Sequence, residues 1–276
     1  MLLSFAKMQA LGNDFMVVDG ISQPANFSPQ LLQRLADRRR GIGFDQLLLV
    51  EPPYSPNTDF HYRIFNADGS EVGQCGNGAR CFAKFVRHVG LAWRPQMRVS
   101  TINGEMALNI NDDGSVTVDM GKPRFAANEV PFRAGVEGPH HRLEVDGSVH
   151  TFVALSMGNP HAVLSVQDVI NAPVGALGKR LCEHEYFPQQ ANIGFMQVMN
   201  RETMRLRVYE RGAGETEACG SGACAAVVAG RLLERLDEDV LVQLPGGNLH
   251  VRWAGEGQPV LMTGPADLVY EGQIEL

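Results

Sequence analysis

The chain has 276 residues, of which 44% are hydrophobic and 20% charged, with a formal net charge of −7. This fits one large domain or two of ordinary size, with enough apolar residues for each half to bury its own core, and the modest acidic balance argues against nucleic acid as a partner, because phosphate binding needs a basic face. No stretch reaches the ~18 apolar residues of a membrane span, the opening Met1-Leu2-Leu3-Ser4-Phe5-Ala6-Lys7 lacks the basic start and apolar core of a secretory signal, and five cysteines are an odd count at low density, so a cytoplasmic protein with reduced thiols and no membrane partner is expected.

In chain order, a helix is predicted over residues 28–40, with Ser28 as N-cap and Pro29 at its first position. Arg38-Arg39-Arg40 followed by Gly41 reads as a cationic helix end with a glycine cap. Strands are expected at 44–50 and 61–66, separated by the proline-rich loop at 52–57. A second helix should begin just after Cys75, carry Ala79, Phe82, Ala83 and Val86 on one face, and end near Gly90. Strands at 97–102, 105–109 and 116–120 follow, with turns at Asn103-Gly104 and Asp113-Gly114.

The second half repeats this order. Strands are predicted at 151–156 and 162–166, a helix at 174–184, strands at 193–199 and 204–209, and an alanine-rich helix at 220–236. Strands at 240–244, 249–253 and 260–263 close the half, and a tail strand at 268–270 is expected to return to the first half. Matched residues fix the duplication: Leu11-Gly12-Asn13-Asp14 with Met157-Gly158-Asn159-Pro160, Gln46 with Asn192, Gly104 with Gly247, and Gly121 with Gly264. The expected architecture is α/β of the α+β type. It has two pseudo-symmetric repeats, each a largely antiparallel or mixed sheet wrapped around a central helix, with the active site in the cleft between them. The N-terminal repeat covers 1–121 plus the tail 265–276, and the C-terminal repeat covers 122–264.

The most informative repeat is chemical. Phe65-Asn66-Ala67-Asp68-Gly69-Ser70 leads into Cys75-Gly76-Asn77-Gly78-Ala79, and Tyr209-Glu210-Arg211-Gly212 leads into Cys219-Gly220-Ser221-Gly222-Ala223. A solitary Cys-Gly-X-Gly is usually a packing cysteine at a helix start. Packing does not require the same residue in both copies, so the duplicate favours reactive thiols. A helix N-terminus offers unpaired N–H groups and a positive dipole. These should lower each thiol's pKa and let the amides of Gly76-Asn77 and Gly220-Ser221 hold a carboxylate. Two thiols in opposite protonation states suit removal of a proton α to that carboxylate on one face and its return on the other.

Asn13 with Asn159, Gln46 with Asn192 and Asn66 with Glu210 form matched polar pairs. One such pair would pass as turn residues; three suggest a pocket. Arg211 faces Ala67 in the repeat and breaks the symmetry, which points to a second carboxylate on the substrate. His161 is either an ordinary surface histidine or a neighbour able to tune a thiol. Cys81, Cys182 and Cys224 read as structural, and without a Cys-X-X-Cys no zinc site is expected. A thiol-pair racemase for a smaller amino acid, a thiol–disulfide redox protein and a non-catalytic amino-acid-binding module stay open at this point.

Gly12-Asn13-Asp14-Phe15, Asn66-Ala67-Asp68-Gly69-Ser70, Cys75-Gly76-Asn77-Gly78-Ala79-Arg80, Gly158-Asn159-Pro160-His161, Glu210-Arg211-Gly212 and Cys219-Gly220-Ser221-Gly222 together resemble the diaminopimelate epimerase family across nearly the whole chain. The resemblance implies a cofactor-independent isomerase, without metal, that interconverts LL- and meso-2,6-diaminopimelate in lysine and peptidoglycan-precursor biosynthesis. It implies that Cys75 and Cys219 exchange the roles of proton donor and acceptor, tuned by His161 and Glu210. Asn13, Gln46, Asn66, Gly76, Asn77, Asn159, Asn192, Glu210, Arg211, Gly220 and Ser221 would contact substrate. It further implies a homodimer with Tyr270 at the contact.

Overall fold

The computed structural model describes residues 2–73, 75–133 and 139–276; Gln74, within the first cysteine loop, lies outside them. The chain is mixed α+β and largely sheet, with four α-helices among the described residues. It divides into two compact units, Met1–Asp119 with Thr263–Leu276, and Met120–Met262.

Unit 1 opens with an antiparallel hairpin of β1 (Leu2–Ala10) and β2 (Asn13–Asp19), for which the sequence reading offered no strands. Leu11 and Gly12 turn it with positive φ. Helix α1 (Pro29–Ala36) follows, then β3 (Gln46–Glu51), β4 (Phe60–Asn66), the short β5 (Glu71–Val72), α2 (Gly76–His88), β6 (Gln96–Thr101), β7 (Gly104–Ile110) and β8 (Val116–Asp119). β3 pairs parallel with β2 and antiparallel with β4, and β4 pairs parallel with β6 across the α2 crossover. Its Leu47-Leu48-Leu49-Val50 run is buried throughout because the sheet is covered on both faces. Leu47 and Leu49 join Leu32 and Leu35 of α1 in one core cluster. Leu48, Phe15 and Tyr62 meet the first turn of α2, where a Cβ on Gly78 would come within 3.1–3.4 Å of all three.

Unit 2 contains β9 (His140–Val145), β10 (Ser148–Ser156), β11 (Pro160–Ser165), α3 (Val174–Cys182), β12 (Asn192–Asn200), β13 (Thr203–Glu210), β14 (Gly214–Thr216), α4 (Gly220–Leu232), β15 (Asp239–Leu244), β16 (Gly247–Trp253) and β17 (Val260–Gly264). Its pairings reproduce those of unit 1: β10 with β11 antiparallel, β11 with β12 parallel, β12 with β13 antiparallel, β13 with β15 parallel. The register is the same as well, with Phe15 opposite Gln46 in unit 1 and His161 opposite Asn192 in unit 2. Phe132, Phe152, Leu181, Phe187 and Phe195 anchor its core.

β18 (Asp267–Glu275) is longer than the tail strand expected, and pairs antiparallel with β1 along its length. In unit 2 the corresponding place beside β10 is taken by β9, which the sequence reading missed.

Two helix ends differ from expectation. α1 stops at Ala36 rather than Arg40, because Asp37 turns its carboxylate onto the N–H groups of Arg39 and Arg40 and its carbonyl onto that of Gly41. Gly41 is therefore not a left-handed cap; it lies where a Cβ would strike the Arg34 and Leu35 carbonyls. α4 stops at Leu232 instead of 236, because Glu234 adopts φ 57° and Arg235 and Leu236 send their N–H groups back to the Gly230 carbonyl.

Candidate active site

In both units a short hairpin delivers the cysteine to a helix start. Cys75 is the N-cap of α2, its sulfur accepting from the Gly78 N–H at 3.3 Å. Cys219 is the N-cap of α4, its sulfur accepting from the Gly222 N–H at 3.4 Å. Cysteine thus does what serine or aspartate usually does at this position. Gly78 and Gly222 keep the first turn against the sheet, the latter within 3.0 Å of Val208 for a notional Cβ. All five cysteines are thiols. Cys75 is half-buried; Cys219 is 4% exposed.

Around Cys75, unit 1 gathers Asn13 and Asn77. The Asn13 Oδ1 lies 4.0 Å from the sulfur and accepts from Asn77 Nδ2 at 3.3 Å. Asn13 Nδ2 donates to Asp45 Oδ2 at 2.8 Å. Behind it Arg38 forks onto Asp14 at 2.6 and 2.8 Å and reaches Asp45 at 2.8 Å, while Lys7 also donates to Asp14. Burial alone would raise the Asp14 pKa, but the hydrogen bonds and charges of Arg38 and Lys7 hold it far below the usual carboxylate range. Arg80, wholly buried, donates to Asn77 Oδ1 at 3.0 Å, to the Gly76 carbonyl at 3.3 Å and to the Pro265 carbonyl at 3.0 Å. Gln46 and Asn66 bond each other across β3 and β4 at 2.9 Å, and Gln46 Oε1 is buried with no hydrogen-bond partner among the described residues.

Around Cys219, unit 2 gathers Glu210, Ser221, Asn159 and His161. The Ser221 hydroxyl is 3.6 Å from the sulfur and accepts from Asn159 Nδ2 at 3.3 Å; Asn159 Oδ1 is 3.0 Å from His161 Nε2. Glu210 receives the Thr216 hydroxyl and bonds the Cys219 thiol. Asn192, buried opposite His161 in the strand register, accepts the backbone N–H of Arg211 at 2.8 Å. The Arg211 guanidinium is exposed and donates to the Gln189 carbonyl.

The expected lowering of thiol pKa does not hold at Cys219. Burial pushes it well above the ordinary thiol value, and the charge and hydrogen bond of Glu210 push further, outweighing Ser221 and the Gly222 N–H. Glu210 is itself raised by burial, against the hydrogen bonds from Thr216 and Cys219. A carboxyl and a thiol in one dry place share a proton more readily than either ionises alone. His161 reaches Cys219 through Asn159 and Ser221; burial, then the charge of Arg211, push its pKa down to about 3, so its ring is neutral near pH 7.

The structure therefore joins Cys75, Asn13 and Asn77 in one unit, and Cys219, Glu210, Ser221, Asn159 and His161 in the other. Gln46 pairs with Asn66, and Asn192 with the Arg211 backbone. Gly76 and Gly220 start the two helices, and Tyr270 stands on β18, 45% exposed, with its ring edge-on to Phe5. Sequence reasoning passed over Asp45, Arg38, Thr216 and the structural part of Arg80. Asp45 meets Asn13, Arg38 meets Asp14 and Arg80 meets Pro265 from tens of residues away, and Thr216 meets Glu210 across a hairpin, so local spacing does not mark these contacts.

A family model described as diaminopimelate epimerase matches residues 5–126 and 153–269. Among solved structures, the chain resembles a hydroxyproline epimerase from Agrobacterium vitis with bound trans-4-hydroxy-L-proline, at TM-score 0.71 and 14% identity over 99% of this chain and 92% of that one. It also resembles a phenazine biosynthesis protein of the PhzF family from Bacillus anthracis, at TM-score 0.69 and 17% identity over the whole of both chains. A methylitaconate-delta-isomerase matches at TM-score 0.66 and 16% identity over 99% and 95%. At these identities the likeness to solved structures is one of fold.

Proposed function

The chain belongs to the diaminopimelate epimerase family, and from that premise we propose that it interconverts LL- and meso-2,6-diaminopimelate without a cofactor, as a step of lysine and peptidoglycan-precursor biosynthesis in the cytoplasm. The observation that carries the reading is the matched pair of helix-capping cysteines, each with an asparagine bonded to the second residue of its helix. One thiolate takes the α-proton; the other thiol returns its own to the opposite face. The scheme needs both sulfurs at a single α-carbon, and the two thiols end with their protonation states exchanged.

The charge that grows on the substrate carboxylate during this transfer is met by backbone N–H groups at Gly76-Asn77 and Gly220-Ser221, which are fixed before reaction begins. Cys219 and Glu210 together supply a proton store on one side. Asn13, Gln46, Asn66, Asn159 and Asn192, with Glu210 and Arg211, are assigned to substrate. The unpaired, buried Gln46 Oε1 is an acceptor of the kind an ammonium group satisfies. The exposed guanidinium of Arg211 suits a distal carboxylate, which distinguishes this substrate from a one-ended amino acid. The assembly we assign is a homodimer with Tyr270 at the contact; Leu268, Val269 and Tyr270 are exposed together on β18.

The test is solvent exchange in heavy water with the fully reduced protein, across LL-diaminopimelate, meso-diaminopimelate, proline and hydroxyproline. Deuterium at one α-carbon with conversion of LL to meso is the expected result. Exchange confined to proline or hydroxyproline would move the chain to another substrate; no exchange with any would sink the two-thiol scheme.

A further inference from the structure

The asparagines Asn13 and Asn159 occupy the same place in the repeat, yet their amides point in opposite directions. Asn13 turns its N–H groups away from the cysteine, to Asp45, and its carbonyl oxygen toward Cys75 and Asn77. Asn159 turns its carbonyl away, to His161, and its N–H toward Ser221, the neighbour of Cys219.

The ends of each chain of bonds explain this. In unit 1 the chain runs Arg80 to Asn77 at 3.0 Å, Asn77 to Asn13 at 3.3 Å, Asn13 to Asp45 at 2.8 Å. A guanidinium can only donate and an ionised carboxylate can only accept. With a donor at one end and an acceptor at the other, every amide between has one satisfied direction. Asp45 is held in turn by Arg38 at 2.8 Å. In unit 2 both ends are reversible groups, a serine hydroxyl and a neutral histidine whose two tautomers donate or accept at Nε2. The positions equivalent to Asp45 and Arg80 are Ala191 and Cys224, so neither a carboxylate nor a guanidinium stands at either end of the unit 2 chain.

We propose that Asp45 and Arg80 are positioning residues that lock the Asn77–Asn13 amides in one direction, so that Asn13 keeps its carbonyl oxygen, and not its N–H, against the Cys75 sulfur. A carbonyl there accepts from a thiol and opposes a thiolate. Unit 1 thus biases its cysteine toward the S–H form through a fixed dipole, whereas unit 2 does so through burial and then the Glu210 carboxyl. Among the described residues of unit 1, titratable or charged groups near Cys75 include Tyr62, whose hydroxyl donates to the Cys75 carbonyl, Cys81 and Arg80 on the same helix, and Arg38, Asp14 and Lys7 behind Asp45. The inference rests on Cys75 being a proton-carrying thiol, and its test runs without substrate, so a failed exchange assay and a failed lock are told apart.

The experiment is the pH dependence of Cys75 alkylation by iodoacetamide, read by peptide mass spectrometry, in Asp45→Leu, Asp45→Asn and Asp45→Glu. The Asp45 side chain is 45% exposed, so these changes leave the core intact. Leu and Asn remove the same charge, but only Asn keeps an acceptor for Asn13, because the Asp14 backbone N–H, 3.2 Å from Asp45 Oδ2, holds the new amide's oxygen at that place. The Leu variant should move the midpoint down by about 0.5 unit or more, while Asn and Glu stay within about 0.2 unit of the parent. Equal shifts for Leu and Asn would mean that charge alone matters and overturn the proposal, as would no shift for Leu. Neutron diffraction from deuterated crystals provides a second reading: deuterons belong on the Asn13 atom facing Asp45, and finding them on the atom facing Cys75 would overturn it directly.

Discussion

The two units place the same residue at the same helix start and then surround it with different chemistry. Cys75 is half-buried beside uncharged amides whose direction is set by ions a few residues behind them. Cys219 is buried beside a carboxyl that raises its pKa directly. The shared backbone supplies the anion-holding N–H groups twice, because any helix start does so. The differing side chains decide which proton each sulfur holds. A duplicated fold can therefore conserve the electrostatics that come from backbone while diverging in those that come from side chains.

The hardest test of this comparison is to remove one sulfur at a time. Cys75→Ser and Cys219→Ser should each lower turnover by about 10³-fold, with unchanged circular dichroism. Near-parental turnover in either variant would show that only one thiol works. Next in size is Arg80→Met. It withdraws donors from Asn77, the Gly76 carbonyl and the Pro265 carbonyl inside a packed unit, and should cost about 3 kcal/mol of unfolding free energy measured by urea denaturation. Cys224→Ala, at the equivalent position in unit 2, should cost nearer 1 kcal/mol.

His161 offers a pH test. Its pKa is about 3 in the folded chain, against an ordinary value of ~6.5 when unfolded. As pH falls, the unfolded chain takes up the proton first. The stability contributed by the neutral ring is complete above about 6.5 and lost progressively toward about 3, at up to roughly 1.4 kcal/mol per pH unit. Phe15 occupies the equivalent place in unit 1. His161→Phe should flatten the stability curve between pH 6.5 and 5 relative to the parent; an unchanged slope there would contradict a neutral buried imidazole. The smallest expected effect concerns the helices α1 and α3. Ser28 caps α1 through its hydroxyl, whereas Pro173 gives α3 no side-chain cap. Ser28→Ala should cost about 1 kcal/mol in thermal or urea unfolding.

Much of the fold was legible because it repeats. The repeat fixed the two-unit organisation, while capping residues, turn signals and apolar periodicity placed most strands and all four helices. The misses have physical causes. The turn between β1 and β2 was marked by Gly12-Asn13, but those residues were read for the pocket and not as a hairpin, and β9 takes the place that β18 fills in unit 1, so the repeat could not predict it. Helix α1 ended early at Asp37, where a side chain competing for backbone N–H groups outweighed the favourable arginines that follow. At the site, the cysteines, asparagines and Glu210 were visible as paired motifs, whereas Asp45 sits beside a recognised residue and has no motif of its own.

By itself the sequence determined that two helices begin at a cysteine, since Cys-Gly-X-Gly appears twice and each time stands directly before an apolar run suited to a helix. It also determined where the repeat breaks, at Asn66-Ala67 against Glu210-Arg211. Only the tertiary structure decided the electrostatics of each thiol. The lowered pKa expected of a helix N-terminus is reversed at Cys219 by burial and Glu210, and the facing amide of Asn13 is oriented by Asp45 and, through Asn77, by Arg80. Desolvation and hydrogen-bond direction depend on which groups folding brings within a few ångströms, and that neighbourhood is not written in local spacing.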